Sequence, residues 1–189
     1  MSRYHTAIHS PVFPSQVSGY SSLSGALSPN SQFANPRRYR IPQCAAKAAG
    51  APVAQPVSFD YIGYAHQGVS IADFHVRSAN ALSQMIAGGN DLVLAQTGVR
   101  EINLRILWPG YEHLNWSFST PASSSITRIQ LGASIAMHFW RFIEKATSSS
   151  TTCPQWKVGN SGIEFEKIIL VGLYDLGGGV WQADVAVDL

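Results

Sequence analysis

The segment "SITRIQLGASIAMHFWRFIEKATSSS", residues 125–150, carries the strongest periodicity in the chain. At about 100° per residue, Leu131, Phe142, Ile135, Phe139, Ile143, Ala136, Ile129, Trp140 and Ala133 fill an arc of about 200°. Gln130, Ser134, His138, Arg141, Glu144 and Lys145 take the remainder. An arc this wide predicts a helix that packs on a sheet and touches a second element as well. Phe139 and Ile135 are expected to be buried, and His138 to be solvated on the polar side. Arg128 falls inside the arc, where it sits at an exposed end or pairs with an acid. Ser125 or a neighbour caps the start, and Ser148 to Ser150 follow the end.

Elsewhere the period is two. Ile102, Leu104, Ile106 and Trp108 alternate with Glu101, Asn103, Arg105 and Leu107, which predicts a half-buried strand over 100–108. Pro109 cannot donate to a ladder, so Pro109-Gly110 is the exit turn. In 165–174, Phe165, Ile169, Val171 and Leu173 fall on one face and Ile168, Leu170 and Tyr174 on the other. Apolar residues on both faces suit a central strand. In 180–188, Trp181, Ala183, Val185 and Val187 alternate with Gln182, Asp184, Ala186 and Asp188, which reads as an edge strand or one with a wet face. Gly177-Gly178-Gly179 joins the two as a hairpin. A short helix is expected after Ser78, with Ala81, Leu82, Met85 and Ile86 on its apolar side and Gly88-Gly89 after it.

These elements predict an α+β fold. A small mixed or antiparallel sheet carries a long amphipathic helix on one face and ends in a C-terminal hairpin. If strands 100–108 and 165–174 are parallel neighbours, their crossover should be right-handed.

The N-terminal part has a different character. Residues 1–59 hold five Lys/Arg (Arg3, Arg37, Arg38, Arg40, Lys47) and no acid, whereas 60–189 hold eight Lys/Arg against eleven acids, a net −3. Up to Pro56 there are nine serines, seven prolines and few large aliphatics, too little apolar surface to offset ordering entropy. Residues 1–56 therefore read as a disordered basic Ser/Pro-rich tail, and 57–189 as a single α+β domain.

"LAQTGVREINLRILWPGYEHLNW", "ITRIQLGASIAMHFWRFIEKA" and "IEFEKIILVGLYDLGGGVWQADVAVDL" together resemble an expanded group of uncharacterised proteins of mushroom-forming basidiomycete fungi. The resemblance covers roughly 60–189 and rests on WPGY, ITRxQLG and WQADVAVD in that order. It implies a fungal, intracellular protein and carries over no activity.

The remaining chemistry is sparse. Cys44 and Cys153 show no metal or redox spacing, and reduced thiols fit an intracellular protein. Cys153, before Pro154 in a polar loop, has only Lys157 nearby to lower its pKa. No run of eighteen apolar residues suggests a membrane span. The first sixteen residues lack the apolar run of a secretory signal, so a cytoplasmic or nuclear location is expected. An acid-free start also fits a mitochondrial presequence, although Pro11 and Pro14 interrupt an amphipathic helix. The sequon Asn115-Trp116-Ser117 then reads as accidental.

Candidate sites follow from this. Tyr111, Glu112, His113 and Trp116 lie beyond the strand-ending turn, where loops commonly bind ligands; either they shape a surface concavity there or, the favoured reading, the aromatics close the open end of the core. Trp108 belongs to the core. Arg37, Arg38 and Arg40 in "NPRRYR" are the candidates for nucleic acid, although the cluster is short and disfavours that partner. His66, Asp73 and His75 lack a second cluster at ligand spacing, so no metal or cofactor is expected. There is no GxSxG elbow, and the "LGGGVW" turn lacks the GK[ST] of a phosphate loop. No catalytic set emerges. The favoured function is non-enzymatic interaction or assembly, with another protein or a second copy as partner. An enzyme using dispersed groups (Glu112, His113, His66, Asp73) and a nucleic-acid-associated protein are the alternatives.

Overall fold

The computed structural model describes residues 33–189. At its centre, Ile168–Gly177 (β6) and Val180–Asp188 (β7) pair antiparallel. Gly177, Gly178 and Gly179 make the turn at φ +97°, +59° and +77°, values that an L side chain adopts only with strain. Glu101–Ile106 (β4) pairs parallel with the first residues of β7. Trp116–Pro121 (β5) pairs antiparallel with β4. On the other side, Val57–Ser58 (β2) and Val69–Ser70 (β3) pair antiparallel with β6. The resulting mixed sheet has seven strands with the main order β2-β6-β7-β4-β5.

The expectation of an edge or half-wet strand at 180–188 is corrected. β7 has neighbours along both edges, and Gln182, Asp184 and Ala186 are as buried as Trp181, Ala183 and Val185. The parallel neighbour of β4 is β7, not β6. A register shift between Leu170 and Gly172 also breaks the alternation predicted for β6. One extra residue in the strand turns Leu173 to the same core as Leu170, while Ile169 and Val171 pack with Ala186 on the opposite face.

Three helices lie on the side of the larger core. Ile71–Val76 (α1) and Ala79–Met85 (α2) precede β4, and Ser78 caps α2 by accepting from the Ala81 amide. Arg128–Thr147 (α3) is the long helix predicted from its arc. Thr127, rather than Ser125, caps it. Its hydroxyl accepts from the Gln130 amide while the Gln130 side chain accepts from the Thr127 amide, a reciprocal capping box. Phe139, Phe142 and Ala136 are fully buried. At Gly132 the Phe74 ring of α1 comes so near that an added Cβ would lie 2.3 Å from it. That glycine sets how closely α1 can approach α3.

His138 departs from expectation. It lies about 20° from Leu131 around the helix axis, at the rim of the apolar arc. β5, which the sequence reading did not resolve, covers that rim. His138 is 2 % exposed, its ring centroid is 3.6 Å from that of Phe118, and its Nε2 is 3.0 Å from Thr120 Oγ1. Burial, helped by Arg141, pushes its pKa down to about 4.

The expected boundary at residue 56 is corrected as well. Arg38–Arg40 (β1) pairs antiparallel with the end of β7. The Ile41 amide then donates to Val185 O, and Gln43 Nε2 donates to Ala183 O at 2.8 Å. The segment thus fills the edge of β7 between β1 and β4. Gln182 accepts from the Ala46 amide and donates to Cys44 O, both at 2.8 Å. Polar side chains and backbone pairing hold this strap, so hydrophobic content understates how well it is tied. The disorder expected for residues 1–32 lies outside the described residues.

Candidate functional site

The aromatic stretch after β4 is mostly core. Trp108 is fully buried and its indole donates to Trp156 O at 2.7 Å. Gly110 stands at φ +84°, and a Cβ there would meet Thr151 Oγ1 at 2.4 Å and Cys153 N at 2.6 Å. Both the angle and the close approach require glycine. Tyr111 is 1 % exposed, packs edge-to-face on Phe142, and its hydroxyl accepts from the Val158 amide at 3.4 Å. It cannot line a surface concavity, because the 3-10 turn 112–114 folds it inward. The Glu112 carboxylate accepts from the Gly110 amide at 3.0 and 3.1 Å and so fastens its own turn. His113 is exposed and stacks on Tyr111. Trp116, half-buried on β5, packs edge-to-face on Phe142.

The dispersed acid/base candidates occupy separate places. Asp73 accepts from Tyr61 Oη at 2.5 Å and from Arg77 Nε at 2.7 Å. Burial, with Asp73 beside it, pushes the Tyr61 hydroxyl up to about 12. His75 stacks on Trp140, and His66 sits exposed at φ +60°. Among the described residues, no three His, Cys, Asp or Glu side chains converge as a metal site. Both cysteines are free.

The basic cluster is largely spent on the fold. Arg38 forms a bidentate pair with Asp188 at 2.7 and 2.8 Å. Arg40 Nε lies 3.4 Å from Asp184 Oδ2, and its guanidinium sits 5.1 Å from the Phe33 ring centre. Arg37 alone of the three is exposed. Asp184, which the alternation of 180–188 places on the face expected to be wet, is buried under this strap; burial pushes its carboxyl up to about 6, with Arg40 working in the other direction.

The concave features lie elsewhere. A groove of about 490 Å³ runs between 53–58 and 91–97, with Arg128 in its wall. There the Arg128 guanidinium ties loops together, donating to Gly88 O and Ser58 O and lying 3.7 Å from Asp91. A smaller hollow of about 150 Å³ is lined by Arg40, Asp60, His66 and Tyr174.

A third groove, of about 490 Å³, lies between the C-terminal half of α3 and residues 159–166. Trp140 is 38 % exposed beside it, stacked on His75 at 5.1 Å and 11°, with Phe165 edge-on at 5.3 Å and 89°. Glu144, Glu164 and Glu166 line the same groove. No family model, curated protein or solved structure matches this chain.

The reading of Trp140 as core missed this site, and the signal that could have found it was angular. Trp140 lies about 180° from Leu131, at the far rim of the apolar arc, followed by Glu144 at about 220° and Met137 at about 240°. An aromatic at the border of an arc, next to an acid, is where a helix can stay uncovered. Phe165 and Gly159 come from a distant loop, so the groove itself is not visible in the helix alone.

Proposed function

We propose that the protein is a non-enzymatic interaction module that docks a partner polypeptide on the face bearing Trp140. The observation that carries this reading is the half-exposed Trp140, held upright by His75 and Phe165 at the lip of a groove. Large aromatics in concave, partly dry surroundings are the usual anchors of protein interfaces. Met137, 42 % exposed, lies one turn earlier on the same side of α3. A fixed aromatic loses little side-chain freedom on binding, which favours such a role. The catalytic alternative would need two of Glu112, His113, His66 and Asp73 within hydrogen-bond reach in one pocket; Asp73 is taken up by Tyr61 and Arg77, Glu112 by the Gly110 amide, and none of the three concavities described above is lined by two of them. Fungal origin, suggested by the WPGY, ITRxQLG and WQADVAVD segments, belongs to the same proposal.

The test is a photo-crosslinking residue at Met137, followed by direct binding measurements with the purified crosslinked protein. Trp140→Ala and Met137→Ser should weaken that binding about tenfold or more while leaving the melting temperature nearly unchanged. Undiminished binding to both variants would remove this face from consideration.

A further inference from the structure

We infer that the partner is recognised through a lysine-bearing basic segment, whose ammonium side chain enters the groove between Trp140, Phe165 and the three glutamates. This rests on the docking role proposed above and specifies its chemistry. Glu144, Glu164 and Glu166 line the groove, and no lysine or arginine does. Among the described residues, none of these three carboxylates takes part in an ion pair. Unlike Asp73, Asp91, Asp184 and Asp188, none of them has a basic group of the described residues within ion-pair distance. Three like charges around one concavity repel one another, and a cation placed among them removes that repulsion.

The aromatic pair adds to the charge complementarity. Trp140 is the side chain whose ring attracts a cation most strongly, and Phe165 stands edge-on to it at 5.3 Å. Ile143, buried at the base of the groove, offers apolar surface to the methylenes of a long side chain. A neutral apolar peptide would gain nothing from the three exposed carboxylates and would displace part of their water. An acidic peptide would meet like charge. The groove thus selects against both.

The experiment is an NMR titration of the ¹⁵N-labelled full chain with acetyl-tetralysine amide. Its ε-acetylated form, neutral and of similar shape, serves as control. Tetralysine should shift the Trp140 indole N–H and the amides of 143–147 and 159–166 in a saturable manner, and the acetylated form should not. Glu144→Gln combined with Glu164→Gln, both on the surface, should weaken binding about fivefold or more, as should Trp140→Leu. Equal shifts from the acetylated peptide would overturn the charge-based recognition, and shifts spread evenly over all surface acids would overturn the assignment to this groove. If the crosslinked partner needs Trp140 but ignores the Glu→Gln changes, the basic segment is refuted and the docking role stands. If it ignores Trp140 as well, both fall.

Discussion

Arg40 Nε lies 3.4 Å from Asp184 Oδ2 on the face of the sheet opposite α3. The two groups belong to segments joined by the pairing of β1 with β7 and by the hydrogen bonds of the strap that follows it. The pair is too long for a strong charge-assisted hydrogen bond, and neither atom has another hydrogen-bond partner. The carboxylate therefore remains poorly compensated for its burial.

Two buried groups consequently give opposite pH dependences. Asp184 has its folded pKa raised from 3.8 to about 6, so the folded state takes up its proton first. Stability from this group is gained as pH falls from about 6 to 4. His138 has its folded pKa lowered from 6.5 to about 4, so the unfolded state takes up that proton first. Stability from it is present above 6.5 and lost as pH falls toward 4. At about 1.4 kcal/mol per unit, each amounts to roughly 3 kcal/mol, and they nearly offset. Relative to wild type, Asp184→Asn should lose about that much more stability between pH 7 and 4, and His138→Gln that much less. Urea unfolding at several pH values measures the differences, and parallel curves would contradict both assignments.

Gly132 faces the Phe74 ring, where a Cβ would lie 2.3 Å from it. Gly132→Ala should gain up to about 1 kcal/mol of helix propensity yet lose roughly 1–3 kcal/mol through displacement of α1. The expected net result is a less stable protein. A melting temperature above wild type would mean that Phe74 swings aside freely.

The long helix, β4 and the hairpin were legible because each buries its face within one sequence window. A period of 3.6 or 2 survives there whatever the rest of the chain does. The strap 33–46 was not legible, since its anchors join residues such as Arg38 and Asp188, or Gln43 and Ala183, that are far apart in sequence. Polar anchors leave no hydrophobic pattern. β5 was hidden for a related reason: in "WSFSTP" only Trp116, Phe118 and Thr120 turn inward, and the serines between them read as loop. Missing β5 led directly to the wrong environment for His138. The binding reading fails at Tyr111, because the turn after Pro109-Gly110 folds the chain back into the core.

The strap itself is open to a direct check. Asp188→Ala with Arg38→Ala removes a part-buried bidentate pair, and Gln43→Ala removes a buried hydrogen bond to Ala183 O. The Arg38 pair should contribute about 1–3 kcal/mol as a charge-assisted bond, and Gln43 about 1 kcal/mol. Amide exchange of Val185, Ala186 and Val187 should accelerate in each variant if β1 loosens from β7. Unchanged exchange there would show that β7 is protected without the strap.

Trp108, Tyr111 and Trp116 form a graded series around Phe142. Trp108 and Tyr111 are at 0 % and 1 % exposure, while Trp116 is only half-buried. Trp108 contributes both its ring and an indole hydrogen bond to Trp156 O, so truncation leaves a cavity and an unpaired carbonyl. Tyr111 leaves a cavity beside Phe142 and an unpaired Val158 amide. Trp108→Ala and Tyr111→Ala should each cost about 3–5 kcal/mol, as for other buried aromatics. Trp116→Ala should cost less, because solvent can fill part of the space it leaves. Denaturant unfolding of the three single variants decides the order. A loss at Tyr111 as small as that at Trp116 would return Tyr111 to the surface and reopen the case for a binding role beside Glu112 and His113.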